Sequence, residues 1–358
     1  MTRGSLLRTI LVACVFLRSA TLSATSAEGI AVEPVLIGLN RPVGVAVRPS
    51  STGAYEVYVV EGGAGRIVRA RSDQPNASTE VIRGFPVSVP GKGASEPAGL
   101  MFLDRDRLVV VNRSLSGDST TGSAIARLYE VPADGKPLAA DAMKQHIDLP
   151  AGNEPLASDT QGRGCIAMAR TRANDHVPDM LLVISPSTLR SGELFKIPAR
   201  AGTLGELDVF PLIKDRLPTG TPTAIAVSEQ GYVILSFTEG DASRESHLAF
   251  VNPIDGSVAM SLSIELPGVS GLAYSTTSPA ALYAIASAST EGNERGVYRI
   301  DAATEPGKPT ARAVKLADVN HPTAIAAGPD GTLYVTDLGK SAEASADSGQ
   351  LLKLTGEL

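Results

Sequence analysis

One four-residue pattern recurs six times along this chain and restricts what it can fold into. A small residue, an aliphatic one, a second residue that is usually small and an apolar one begin at Gly44, Gly99, Cys165, Ala224, Gly271 and Ala324. The runs read GVAV, GLMF, CIAM, AIAV, GLAY and AIAA, with anchors 55, 66, 59, 47 and 53 residues apart. In four cases a proline stands two places earlier: Pro42, Pro97, Pro222 and Pro322. A period near fifty with several short strands per unit is the signature of a β-propeller.

The first unit shows the order within a repeat. Pro42 to Val47 is a short inner strand, and Glu56 to Val60 is a second one rich in β-branched and aromatic residues. Arg66 to Ala70 alternates polar and apolar residues, and Thr79 to Arg83 supplies a fourth strand. The same order places the inner strands near 43–47, 98–102, 164–168, 223–227, 270–274 and 323–327. The last repeat ends with three strands and the first is preceded by a spare one, Val32 to Leu39. This predicts an all-β, six-bladed propeller of four-stranded blades, whose last blade is closed by the N-terminal strand. Closure pairs edges that would otherwise be open. Pro34, in the spare strand, suits an outermost edge.

Residues 1–27 read as an export signal outside the propeller of residues 28–358. Arg3 and Arg8 precede an eight-residue apolar core, Ile10 to Leu17, and small residues run to Ala27. That core is far short of the about 20 residues a bilayer span needs. The expected location is therefore periplasmic or secreted. A lipoprotein reading, with Cys14 modified in Leu11-Val12-Ala13-Cys14, is the alternative. Losing Arg3, Arg8 and Arg18 moves the net charge from −6 to −9. An acidic chain without basic clusters argues against nucleic acid, and no segment is apolar enough for a membrane span. Cys165 is then the sole thiol, so no internal disulfide can form. It occupies a small-residue slot and reads as a buried small hydrophobe.

The segments RPVGVAV, EVYVVEGGAGRIVRA and HPTAIAAGPDGTLYVTD carry a family resemblance. They are similar to the NHL-repeat pattern of proline, apolar inner strand, Asp-Gly turn and Tyr-Val-x-Asp second strand. The chain thus resembles the six-bladed superfamily that includes TolB-like and gluconolactonase-like propellers. It is similar in the same general way to exported propellers of pigment clusters. The resemblance covers nearly all of Val32 to Leu358 and speaks to architecture.

Strand alternation puts the loops after the second strands and the loops entering the next blade on one face. Those loops are long, at Asn112–Ser123, Glu239–Ser246, Ser287–Arg295 and Leu338–Ser348. Elaborated loops on a rigid scaffold usually carry binding. Residues ahead of the inner strands ring that mouth: Arg41, Glu96, Arg163 and His321. The ends of the second strands add Glu61, Asn112, Glu239 and Asp337. These eight can hold a polar ligand, and Glu96, Asn112 and Asp337 are the candidate ligands of a divalent cation such as calcium. The competing reading is structural: a carboxylate after a second strand commonly ties down its own turn. His321, just before Pro322, is a candidate base or ligand.

Other motifs fail on context. Gly162-Arg163-Gly164-Cys165-Ile166-Ala167 has dinucleotide-type spacing but opens a strand, so no helix N-terminus awaits a phosphate. There is no tryptophan, which weakens any stacking platform. Three functions stay open. The first is an exported binding module for a protein or small polar ligand. The second is a metal-dependent hydrolase or lactonase, implied by resemblance to gluconolactonase-like propellers. Arg41-Pro42 and Pro322-Thr323 depart from that family's acidic and Asn-Gly positions. The third is a quinone-dependent sugar dehydrogenase, which the opening LIGLNRPVGVAV faintly resembles.

Overall fold

In the computed structural model every described element is a strand, and the strands form six sheets. The structure describes residues 29–48, 54–87, 94–115, 124–132, 135–149, 167–172, 177–184, 194–200, 202–210, 212, 221–238, 245–275, 277, 280–287, 294–305, 308–339 and 348–358. The export signal and the Cys14 alternative lie outside these residues. No helix among the described residues is long and apolar enough to cross a membrane.

Numbered by their inner strands, the blades follow the chain. Blade 1 comprises Pro42–Arg48, Glu56–Glu61, Arg66–Arg71 and Gln74–Arg83. Blade 2 comprises Ala94–Phe102, Arg107–Leu115, Ala124–Glu130 and Gln145–Leu149. Blade 3 has Ala167–Thr171, Met180–Ile184 and Phe195–Arg200, edged by the short pieces Thr203–Leu204 and Asp208–Val209. Blade 4 is Thr221–Val227, Val233–Thr238, Ser246–Val251 and Val258–Ile264. Blade 5 is Val269–Ser275, Ala281–Ala286, Gly296–Glu305 and Lys308–Ala317. Blade 6 takes Pro322–Ala327, Leu333–Asp337 and Gly349–Gly356 from the C-terminal end, and Ile30–Leu39 from the N-terminal one. The inner strands contact one another in cyclic order, blade 6 returning to blade 1. The protein is a six-bladed β-propeller closed by its N-terminal strand.

The repeated sequence pattern has a repeated backbone cause. A register shift falls between Pro42 and Gly44, Pro97 and Gly99, Pro222 and Ala224, Val269 and Gly271, and Pro322 and Ala324. Each is a bulge at the start of an inner strand. Proline lacks an N–H and is tolerated at bulges and first strand positions. The small residue that follows faces the adjacent blade. A Cβ on Gly44 would meet Leu100 of blade 2 at 3.0 Å; one on Gly271 would meet Ile325 of blade 6 at 3.3 Å. Blade 3 lacks the proline, and the described part of its inner strand, Ala167–Thr171, runs three residues past the expected end. Its far end is fixed by Arg170, whose guanidinium grips Asp179 at 2.6 and 2.7 Å, and by Thr171 Oγ1, which accepts from Met180 N at 3.2 Å. Residues 164–166 lie outside the described residues, and Cys165 with them.

Burial follows the same logic. The apolar core divides into six clusters, each drawn from two neighbouring blades. Tyr58 and Phe102, for example, meet edge to face between blades 1 and 2, centroids 4.8 Å apart. A chain of this length needs no single core when each blade packs on the next. Blade 1 also gains a short parallel addition, Leu138–Ala139, against Ile82 and Arg83.

The closing seam between blades 6 and 1 is polar as well as apolar. Tyr55 OH donates to the Asp330 carboxylate at 2.9 Å, and Tyr334 OH lies 3.0 Å from Tyr55 OH. Because Tyr55 has one proton, Tyr334 donates to it. Burial alone would raise the Asp330 carboxyl, but the bonds from Tyr55 and Thr332 overcome it and hold it below the usual carboxylate range. A depressed carboxyl contributes stability above its unfolded pKa of 3.8 and loses it as pH falls through the lower folded value. We therefore expect Tyr55→Phe to lower the unfolding free energy in urea by about 1 kcal/mol at pH 6, and by less at pH 3. Equal losses at both pH values would show that the phenol–carboxylate bond does not carry this link.

Candidate functional site

The bulges position the mouth. Opposite the residue that starts each bulge stands a residue at or near the end of the second strand: Glu61 opposite Pro42, Asn112 opposite Pro97, Phe237 opposite Pro222, Ala286 opposite Val269 and Asp337 opposite Pro322. Glu61, Asn112 and Asp337 are fully buried. Blade 4 differs from expectation here. The position opposite Pro222 belongs to Phe237, and Glu239 lies two residues on, outside the described residues. Arg163 also lies outside them.

Glu61 and Asp337 do the same structural work with side chains of different length. Asp337 Oδ1 accepts from the N–H groups of His321 at 2.8 Å and Gly339 at 3.2 Å, while Oδ2 accepts from Gln350 Nε2 at 2.9 Å. Glu61, one methylene longer, reaches one residue further back. Its Oε1 accepts from Asn40 N at 2.8 Å and its Oε2 from Arg66 Nε at 2.6 Å. Each carboxylate thus ties the approach to an inner strand to the start of the third strand of its own blade.

Two candidates meet across blades. Arg41 Nη2 forms an ion pair with Glu96 Oε2, joining the approach to blade 1 with the inner strand of blade 2. Glu96 is almost fully buried, whereas the Arg41 side chain is 36% exposed and turned to the mouth. Arg41 has φ of 49°, a left-handed conformation rare for a side chain of this size. Its carbonyl accepts from Gly62 N at 3.0 Å, and a Cβ on Gly63 would meet Asn40 Oδ1 at 1.9 Å, so the glycines behind the strand make room for this turn.

His321 is held from both sides. Its Nδ1 lies 2.7 Å from the Gly339 carbonyl, which can only accept, so Nδ1 carries the proton. Its Nε2 then accepts from Arg295 Nη1 at 2.7 Å. Arg295 was not legible as a site residue. It precedes the third strand of blade 5, and Ala286 opposite Gly296 places it at the same rim. Thr323 links this group to blade 1, its hydroxyl lying 2.8 Å from the Pro42 carbonyl and 2.8 Å from Thr336 Oγ1. Among the described residues no group of three or more His, Cys, Asp and Glu is placed to hold a metal. What the rim offers is a guanidinium beside a carboxylate at blades 1 and 2, and a guanidinium beside an imidazole at blades 5 and 6. These are groups for hydrogen-bonding a polar ligand.

A cleft of ≈ 490 Å³ lies elsewhere, between blades 2 and 3 on the opposite face, among Asp104, Arg107, Glu130, Lys144 and Thr203. Its charges are matched locally: Arg107 pairs with Asp104, Lys144 lies 3.5 Å from Glu130, and Arg48 Nη2 donates to Asp106 at 2.8 Å. The rim, where the Arg41 side chain is partly exposed, is the better candidate.

Neither a protein-family model nor a curated protein matches the sequence. Solved structures match the fold. A protein described as a putative oxidoreductase (glucose dehydrogenase) from Thermus thermophilus aligns with a TM-score of 0.57 at 15% identity, over 91% of this chain and 100% of that one. The PQQ-bound aldose sugar dehydrogenase of Streptomyces coelicolor aligns with a TM-score of 0.54 at 14% identity, over 93% of this chain and 100% of that one. What is shared is the six-bladed ring. At this identity the likeness carries architecture and no chemistry.

Proposed function

We propose that this chain is an exported binding module that holds a small polar ligand, or a polar protein segment, at the mouth of its channel. The observation that carries the reading is the rim itself. Arg41 and Arg295 are set at fixed positions by backbone and side-chain hydrogen bonds from three blades. Preset donors on a rigid scaffold bind without losing much side-chain freedom. Asp337 and Glu61 support the rim and spend their oxygens on it.

The test is thermal unfolding of residues 28–358 with inorganic phosphate and citrate as acceptor-rich probes, and separately with calcium, zinc and a chelator. A probe present at about 100 times its dissociation constant stabilises the fold by about 2.7 kcal/mol. The expected result is an upward shift with an acceptor-rich probe, lost in Arg41→Gln and Arg295→Gln. A chelator-sensitive shift with calcium or zinc, lost in Glu96→Ala, would replace this reading with the metal-dependent hydrolase, its cation held by Glu96, Asn112 and Asp337.

The PQQ-bound neighbour raises sugar oxidation as a second reading. Oxidising a sugar needs a base, and the one imidazole at the described rim, His321, has its Nε2 occupied by Arg295. The described rim residues do not favour that reading.

A further inference from the structure

The cleft between blades 2 and 3, on the face opposite the mouth, is matched in charge except at one residue. Three cations, Arg105, Arg107 and Lys144, and three carboxylates, Asp104, Asp106 and Glu130, line it. Arg107 pairs with Asp104, and Lys144 with Glu130. Asp106 is taken from behind by Arg48, which is buried and lies outside the lining, its Nη2 donating to Asp106 Oδ1 at 2.8 Å. Arg105 is left over. It is exposed, and its side chain forms no ion pair or hydrogen bond with another described residue.

The walls around Arg105 are held in place by three blades. Arg48 of blade 1 donates from Nε to the Arg105 carbonyl at 2.5 Å. In blade 2, Asp104 Oδ1 sets the turn, accepting from the N–H groups of Asp106 and Arg107, both at 3.0 Å. Gln145 clamps blade 2 to blade 3: its Nε2 donates to the Leu204 carbonyl at 2.5 Å, and its Oε1 accepts from Leu204 N at 3.0 Å. Gly202, with φ of 77°, leaves room for the Arg107 guanidinium; a Cβ there would lie 1.1 Å from Arg107 Nη1. The volume, ≈ 490 Å³, falls within the about 300–1,000 Å³ of small-molecule sites. A preset backbone around an uncommitted cation lowers the cost of ordering a bound guest.

We infer that this cleft binds a small zwitterion, with a carboxylate and an ammonium on one molecule, as in a free amino acid. The fork of donors on Arg105 matches a carboxylate. Lys144 and Glu130 lie 3.5 Å apart and both side chains are 64% exposed, so their pairing contributes little and either can turn to a guest. When Lys144 turns to the guest's carboxylate, Glu130 needs a new cation, and the guest's ammonium supplies it. A guest with a carboxylate alone leaves Glu130 without a partner. A guest with an ammonium alone leaves Arg105 unmatched. Leu128 is the sole apolar side chain among the described residues of the lining, so the rest of the guest is small. The site shares no residue with the mouth and stands whether or not the mouth binds a ligand.

The experiment is saturation-transfer NMR on the full chain with L-alanine as the probe. Propionate, which lacks the ammonium, and ethylammonium, which lacks the carboxylate, are its two halves. Arg105→Gln and Glu130→Gln change exposed side chains, and both variants should melt close to the parent. The expected result is transfer to L-alanine well above that to either half, with binding weakened about tenfold in Arg105→Gln by loss of a charge-assisted hydrogen bond. Glu130→Gln should weaken L-alanine and leave propionate no weaker. Equal transfer to propionate and L-alanine overturns the zwitterion in favour of a plain carboxylate. No transfer to L-alanine, or transfer unchanged in Arg105→Gln, overturns the cleft as the site.

Discussion

Deleting residues 29–39 is expected to abolish cooperative folding, not to trim stability. Ile30, Val35, Leu36 and Leu39 are each buried, at 7%, 6%, 3% and 4% exposure. Burying one such side chain contributes about 1.5–3 kcal/mol, so four contribute about 6–12 kcal/mol. A whole domain is stable by only about 5–15 kcal/mol. The deletion also uncovers the edge of Gly349–Gly356, a ready template for intermolecular pairing. Far-ultraviolet circular dichroism during a thermal melt, together with size-exclusion chromatography, gives the answer. A truncated chain that stays monomeric and melts cooperatively near the parent temperature would mean that three strands suffice for blade 6.

Asp337→Ala should be the most damaging single substitution at the mouth. The carboxylate is fully buried and serves three donors. An unmet buried donor costs about 1–3 kcal/mol. Two of the three are backbone N–H groups that cannot turn elsewhere, so we expect a loss of about 3–5 kcal/mol. Asp337→Asn is the informative control. It keeps an acceptor for the His321 and Gly339 N–H groups, and the Gln350 amide can turn to offer its oxygen to the new amide. Its cost should be about 1 kcal/mol. Urea unfolding of the two variants separates the readings. Nearly equal losses would mean that the negative charge, and not the acceptor geometry, is what holds this corner.

The architecture was readable because its local rule is written in two residue types. Proline marks the start of the bulge and a small residue marks the close approach of the next blade, so five of the six inner strands could be placed from Pro42, Pro97, Pro222, Gly271 and Pro322. In blade 3 the proline is absent and the small residue, Cys165, lies outside the described residues; the described part of its inner strand ends at Thr171, three residues past the expected end. The short parallel addition at Leu138–Ala139 left no trace, since two residues have no periodicity. At the mouth, the positions of Glu61, Glu96, Asn112, His321 and Asp337 were legible from strand order. Their partners were not. Asp337 bonds backbone N–H groups, which every residue but proline carries. Arg295 comes from blade 5 and reaches His321 only through the curvature of the ring. Spacing along a chain reports neither kind of contact.

The seam that closes the ring also brings the two ends of the propeller together. Ile30 is the register partner of Gly356, so the first and last strands of the propeller lie side by side in one blade. A short linker from Leu358 back to Gly29 would make the polypeptide continuous. It could then be cut at a tight turn such as Pro253–Gly256 without changing which strand lies beside which. No blade is obligatorily first. A circular permutant of that kind would present its new ends on the face of tight turns, and a fusion partner carried there would leave the mouth unobstructed.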